Sequence, residues 1–281
     1  MPQPALPLSV GVERRLSGTP LVLFLDIDGT LSPIAPRPED AIVPDGTKTV
    51  VRQLVELPEC HVVVITGRAA ADARRIVDIP GAWLIGNHGL EIARPQGEPL
   101  IRTDVAAHES TIQAAVERAL VAVSTFPGVF VEDKRWSMTV HFRLAAGDVE
   151  PQLTPLIASI GADLGLRVAL GKKVVELRPP IDVNKGTGAL TVCRMLGVLH
   201  RDPSILCAGD DLTDEDAFRA LRGAYPRCVT VWVGAVDVAG TEPTIAELSV
   251  PDPGAMCELL EQVVVLRRLP LAHLPSPIAG S

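Results

Sequence analysis

The sequence predicts an α/β protein: a doubly wound parallel sheet with a smaller α+β module inserted in its middle. Three observations predict it. Residues 21–27, 61–67, 82–86, 204–210 and 228–234 are short β-branched runs, apolar on both faces, separated by longer helical patterns. Strands buried on both faces read this way when helices cover a parallel sheet on both sides. The unusual polar residues Asp26, Asp28, Thr66 and Asp210 stand where those runs end, and ligands of open α/β sheets bind outside the carboxyl ends of the strands. Between about 95 and 180 the pattern changes to strict alternation, as half-exposed antiparallel strands show.

Taken in order, helices are expected near 46–57, 68–79, 186–198, 212–222 and 253–268 in the larger unit. The inserted module should carry helices at 106–125 and 149–165 on one face of its sheet. In 136–143, Trp136, Met138, Val140 and Phe142 should face those helices, leaving Ser137, Thr139, His141 and Arg143 on a polar face. Glu176 and Arg178 share a face of the strand that follows the Gly171-Lys172-Lys173 turn. The division is therefore 1–95 with 181–281, and 96–180. The Pro-rich end, residues 269–281, reads as a loose tail.

Composition narrows the function. The 281 residues carry a net charge of −8, and no Lys/Arg run exceeds two, which argues against nucleic acid. Mean hydropathy is +0.27, and no apolar run approaches the ~20 residues of a membrane span. Five scattered cysteines without a CxxC pair read as free thiols in a reducing compartment. The first residues lack the pattern of a secretory leader, so the cytoplasm is the expected location. The partner expected is a small molecule.

Asp26-Ile27-Asp28-Gly29-Thr30 ends the first buried run with two carboxylates on one face. Such a pair binds Mg²⁺, which takes hard oxygen ligands together with phosphate. The ion would keep Asp26 ionised as a nucleophile, while Asp28 serves as acid and then base. Five acids lie in 210–216, and Asp210 and Asp211 stand where they can complete the metal site. A favourable helix dipole accounts for Asp214, Glu215 and Asp216. Thr66 can bind a phosphoryl oxygen or merely cap a helix, and Lys185, just before a helix, can neutralise a phosphoryl group or stand in solvent. Singly these motifs are ordinary; in this order at the ends of one sheet they converge on phosphoryl transfer.

"LDIDGTLSPI", "ITGR", "GNHGLEI", "VEDKRWSMTVHFR", "VELRP", "NKG" and "GDDLTDEDAF" together resemble the haloacid dehalogenase (HAD) phosphohydrolases, and within them the trehalose-6-phosphate phosphatase family. The resemblance covers about 20–250. It implies a Rossmann-like HAD core, an inserted C2-type cap, Mg²⁺ and an aspartyl-phosphate intermediate. By position, Asp26 is similar to the nucleophile and Asp28 to the acid/base, which also lends the metal its backbone carbonyl. Thr66 and Lys185 match the phosphoryl-binding pair and Asp210 the metal carboxylate, with Asp211 and Asp214 orienting metal-bound water. Substrate contacts are implied for Gly67, Arg68, Asn87, His88 and Gly89 in the core. In the cap they are implied for Glu132, Lys134, Ser137, His141, Glu176 and Arg178. The expected substrate is a phosphorylated disaccharide, the expected state a monomer, functionally coupled to a trehalose-6-phosphate synthase. Two alternatives stay open: a phosphatase for another sugar phosphate, and a catalytically silent HAD-like regulatory domain.

Overall fold

The structure, a computed structural model, describes residues 1–199, 201–235 and 244–269. Its larger sheet runs Gln3–Pro4, Leu248–Val250, Val229–Val233, Ser204–Gly209, Leu21–Leu25, Cys60–Ile65, Trp83–Gly86, Glu91–Ala93, Leu100–Ile101. The first seven strands are parallel and the last two turn back antiparallel. The central strand is apolar throughout because both its faces are covered. Leu21, Leu23 and Leu25 enter one core with Val50, Leu54 and Leu259, while Val22 and Phe24 enter another with Val192 and Phe218.

The ends of the elements differ from expectation. The first strand stops at Leu25 rather than 27, because the N–H groups of Thr30, Leu31 and Ser32 all fold back onto the Ile27 carbonyl. The helix expected at 68–79 is Ala70–Val77. Helix Val10–Leu16 and strands Leu248–Val250 and Glu91–Ala93 are too short for periodicity to reveal. The tail expected beyond residue 269 lies outside the described residues.

The second sheet has four antiparallel strands in the order Phe130–Asp133, Met138–His141, Val174–Arg178, Arg167–Gly171. Met138, Val140, Val175 and Leu177 pack on Ile112 and Val116 of helix Glu109–Val123 and Ile157 and Ile160 of helix Glu150–Asp163. The expected 106–125 helix is two, Thr103–Ala106 and Glu109–Val123. Trp136 also departs from expectation. Arg135 is left-handed (φ 68°), so the alternation starts only at Met138. Trp136 instead joins Leu90 and Val105, with Ile181 and Val183 against them, where the chain passes between the two sheets. The Arg135 guanidinium covers its ring at 4.5 Å.

All five cysteines are free thiols, four of them buried. Among the described residues no helix is long and apolar enough to cross a membrane.

Candidate active site

Strand register builds the site. Leu25 pairs with Ala208 on one side and Val64 on the other, so the three strands end together, with Asp26 one residue further on and Asp210 and Thr66 two residues further on. The Asp26 N–H extends the ladder, donating to Ala208 O at 3.1 Å. Gly29 has φ 92°, and a Cβ there would run into the Asp210 carboxylate; only glycine lets the two motifs close on each other. Gly67 is required in the same way, because a Cβ would strike the His88 ring.

Lys185 is the first residue of helix Lys185–Met195, whose N-terminus is fixed by a capping box between Asn184 and Thr187. It is 2% exposed and donates to Asp26 Oδ1 at 2.9 Å and Asp214 Oδ1 at 2.7 Å. The solvated lysine that an isolated reading allows is therefore not what the fold contains. Burial opposes its charge, but Asp214 and Asp26 outweigh burial and hold its pKa well above the ordinary value. Asp214 is likewise no dipole ornament. Its other oxygen accepts from the N–H groups of Asp210 and Asp211, both at 3.2 Å, tying the lysine to the strand end. Asp211 caps helix Leu212–Ala224, accepting from Thr213 and Asp214.

Ligand atoms of Asp26, Asp210 and Asp214 lie within 4.8 Å of one another. Asp214 already accepts three hydrogen bonds, from Lys185 and two backbone N–H groups, which leaves Asp26 and Asp210 as the pair that best fits a hard divalent cation. Burial, with repulsion from neighbouring carboxylates, pushes Asp26 and Asp210 from 3.8 up to about 7. The protonated forms are favoured by the fold, so their contribution to stability is fully present below about pH 4 and is lost as pH rises through about 7. A cation reverses that loss. Added Mg²⁺ should therefore raise the melting temperature more at about pH 8 than at about pH 6, read by thermal denaturation with and without chelator.

The two aspartates of the first motif do not act as one face, because the strand has ended. Asp28 turns to Arg68: Nε donates to Oδ2 at 2.6 Å and Nη2 to Oδ1 at 2.8 Å. Asp72 at 2.7 Å and the Pro38 carbonyl at 2.9 Å hold the guanidinium from behind. Arg68 thus grips Asp28 rather than standing free for substrate. Thr66 does not cap a helix; that place falls to Ala69. Its Oγ1 accepts from Arg68 N–H at 3.2 Å, which leaves its own proton for an anionic ligand. Thr30 Oγ1 is buried with no hydrogen-bond partner among the described residues.

The four-stranded sheet closes the other side of an open cavity of about 250 Å³. Glu132, Thr139 and Glu176 lie side by side on its polar face. Lys134 Nζ donates to Gly67 O at 2.9 Å, and His88 Nε2 lies 3.3 Å from Glu176. Lys134, His88 and Arg178 outweigh burial and hold Glu176 well below the usual carboxylate range, whereas burial lowers His88 to about 4. Glu132 and His141 meet at 2.7 Å, and Arg178 donates to Glu176. Ser137 is fully buried between Asn87 and Glu176. None of the lining residues is Phe, Tyr or Trp, so the cavity is built for hydrogen bonds.

Sequence reasoning missed Asp72, visible only as an i,i+4 partner of Arg68, and Lys172, whose Nζ reaches within 3.7 Å of Asp210 from the hairpin turn.

Residues 24–254, a span holding both sheets' site residues, match the family described as Trehalose-phosphatase. The chain belongs to the trehalose-phosphatase family. It is 35% identical over 252 residues to a trehalose-phosphate phosphatase of Mycobacterium avium, covering 88% of this chain and 63% of that protein. A Mycobacterium tuberculosis protein named an uncharacterized glycosyl hydrolase is 36% identical over 265 residues, 92% of this chain and 19% of its own length. The chain thus spans less than two thirds of these curated relatives. The C-terminal domain of C. albicans trehalose-6-phosphate phosphatase superposes with a TM-score of 0.74 at 25% identity, covering 94% of this chain and 98% of that one. A haloacid dehalogenase-like hydrolase from Bacteroides thetaiotaomicron superposes with a TM-score of 0.61 at 13% identity, covering 88% of this chain and all of that one, so the chain has the HAD-like fold.

Proposed function

We propose that this chain hydrolyses trehalose 6-phosphate to trehalose and inorganic phosphate, the final step of trehalose biosynthesis. The observation that carries the reading is Lys185, buried against both Asp26 and Asp214 with Thr66 across the same strand ends. An isolated buried ammonium is costly, and this one is placed where a phosphoryl group attacked by Asp26 would develop charge. In this reading residues 96–180 act as a cap over a core of 1–95 and 181–281.

Asp26 Oδ1 is held by Lys185, which leaves Oδ2 to attack phosphorus in line. The new P–Oδ2 bond forms as the bond from phosphorus to the sugar 6-oxygen breaks, and that oxygen takes a proton from Asp28. Water then attacks the aspartyl-phosphate, Asp28 accepts its proton, and Asp26 is regenerated. Because Arg68 donates to both Asp28 oxygens, the fork must loosen on one side so that Asp28 takes up from solvent the proton it then gives to the leaving oxygen. Thr66 donates to an equatorial oxygen. Mg²⁺, held by Asp26 and Asp210 with the Asp28 carbonyl that the family resemblance implies, supplies charge neutralisation to the phosphoryl group when bound. Glu132, Lys134, His141, Glu176 and Arg178 offer donors and acceptors to sugar hydroxyls and confer choice of substrate.

The test is a panel of esters. Release of phosphate from trehalose 6-phosphate should exceed that from glucose 6-phosphate and sucrose 6-phosphate by about 100-fold or more in kcat/KM, and stop with EDTA. Equal rates across the panel would remove the assigned substrate and leave the phosphatase chemistry.

A further inference from the structure

Glu91 has no part in the chemistry above, yet it is a carboxylate 6% exposed in the strand that leaves the Asn87-His88-Gly89 loop. One oxygen accepts from the Asn87 side-chain amide; the other accepts, at 3.4 Å, from the N–H of Ala70, the first residue of helix Ala70–Val77. The Asn87 side chain is fully buried, and its two ends face different partners. Its NH₂ donates to Glu91 and, at 3.1 Å, to the Lys134 carbonyl, while its oxygen accepts from Ser137 Oγ at 2.9 Å. A primary amide turned over keeps its shape and exchanges donor for acceptor. Turned over here, Asn87 would set its oxygen against the Lys134 carbonyl and against Glu91, acceptor to acceptor. Glu91, with the Lys134 carbonyl, supplies the acceptors that fix the sense of the amide, and Glu91 is the one that comes from the larger sheet.

What depends on that sense is the meeting of the two sheets. Lys134 and Ser137 belong to the four-stranded module, and Asn87 to the larger sheet's loop. Ser137 Oγ also lies 3.0 Å from Glu176 Oε1, and Lys134 Nζ reaches Gly67 O at 2.9 Å. We propose that Glu91 is a positioning residue: by orienting Asn87 it fixes how Lys134–Ser137 docks on the core, and so aims Lys134 and Glu176 at the sugar-binding end of the cavity. The inference deepens the phosphatase reading and rests on it for its kinetic test.

The experiment compares wild type, Glu91→Leu, which keeps bulk but offers no acceptor, and Glu91→Gln, whose side-chain oxygen can still accept from Asn87. Substrates are trehalose 6-phosphate and p-nitrophenyl phosphate, which has no sugar to read. Glu91→Leu should raise KM for the sugar ester by about 10- to 100-fold and leave hydrolysis of the small ester little changed. Glu91→Gln should recover most of the loss. Because both act through one hydrogen-bonded chain, Glu91→Leu with Ser137→Ala should be no worse than the worse single variant. Parallel loss on both esters, or additive losses in the pair, would overturn the proposal. If Glu91→Leu does not fold, Asn87→Leu, which leaves the Glu91 bond to Ala70 in place, must give the same loss on the sugar ester, and an unchanged KM rejects the proposal. If wild type hydrolyses neither ester, the phosphatase reading fails and amide hydrogen exchange decides. Faster exchange over residues 130–141 in the Glu91 or Asn87 variant, with strand Leu21–Leu25 still protected, supports the docking role, and unchanged exchange rejects it.

Discussion

Asp26→Asn should lower turnover of trehalose 6-phosphate on the order of 10⁵-fold, because the amide is no nucleophile. The protein should nevertheless fold. The introduced amide still offers an oxygen to Lys185, and Lys185 keeps Asp214 at 2.7 Å. The substitution also removes a buried carboxyl whose pKa burial raises to about 7, one that at about pH 8 is ionised against Asp210. The variant should therefore melt at or above the wild-type temperature there in the absence of metal, a gain in stability at the expense of function. Steady-state kinetics and a thermal melt on the same sample check both halves. A variant that loses activity only because it unfolds would contradict this account.

Lys185→Met should be damaging in both respects. The lysine is the cation between Asp26 and Asp214, and without it two buried carboxylates are left unpaired. Removing one partner of a buried ion pair costs about 3–5 kcal/mol, and the cost should grow with pH as the stranded carboxylates ionise. Adding Asp214→Asn should restore part of the stability, since only Asp26 is then left without its cation, and should not restore turnover. Denaturant unfolding of the single and double variants measures this. Additive destabilisation in the double variant would show that the pair is not the unit described here.

The parts of the site that were legible before any coordinates were those that stand where an apolar run ends. Asp26, Thr66 and Asp210 interrupt strands whose burial could be read directly, and a parallel sheet requires such ends to meet on one edge. Lys185 and Asp214 were harder. Each has an ordinary local explanation, solvent for the lysine and the helix dipole for the aspartate. Only the register of Leu25 with Ala208, with the helix at 185 packed against the one at 212, makes them a buried pair. The grip of Arg68 on Asp28 spans 40 residues and depends on the strand stopping at Leu25, where the apolar pattern ran on to Ile27. Trp136 misled for a related reason. Its place in the alternation was sound, but the left-handed Arg135 before it puts the ring in the junction between the sheets rather than beneath its own. Glu91 stands only four residues after Asn87, but its role was not legible, since Ala70 and the Lys134 carbonyl that completes the contact are brought there by the fold.

The central claim is that Asp26 carries the phosphoryl group. The direct measurement is to mix Asp28→Asn protein with Mg²⁺ and p-nitrophenyl phosphate, whose leaving group needs no acid in the first step, quench in acid, and locate covalent phosphate by mass spectrometry of the peptides. With the base that activates water removed, phosphate should accumulate on the peptide holding Asp26 and be absent when Asp26→Asn is added. Hydrolysis proceeding by wild type with no phosphate ever trapped on that peptide, or phosphate trapped on another residue, would contradict it.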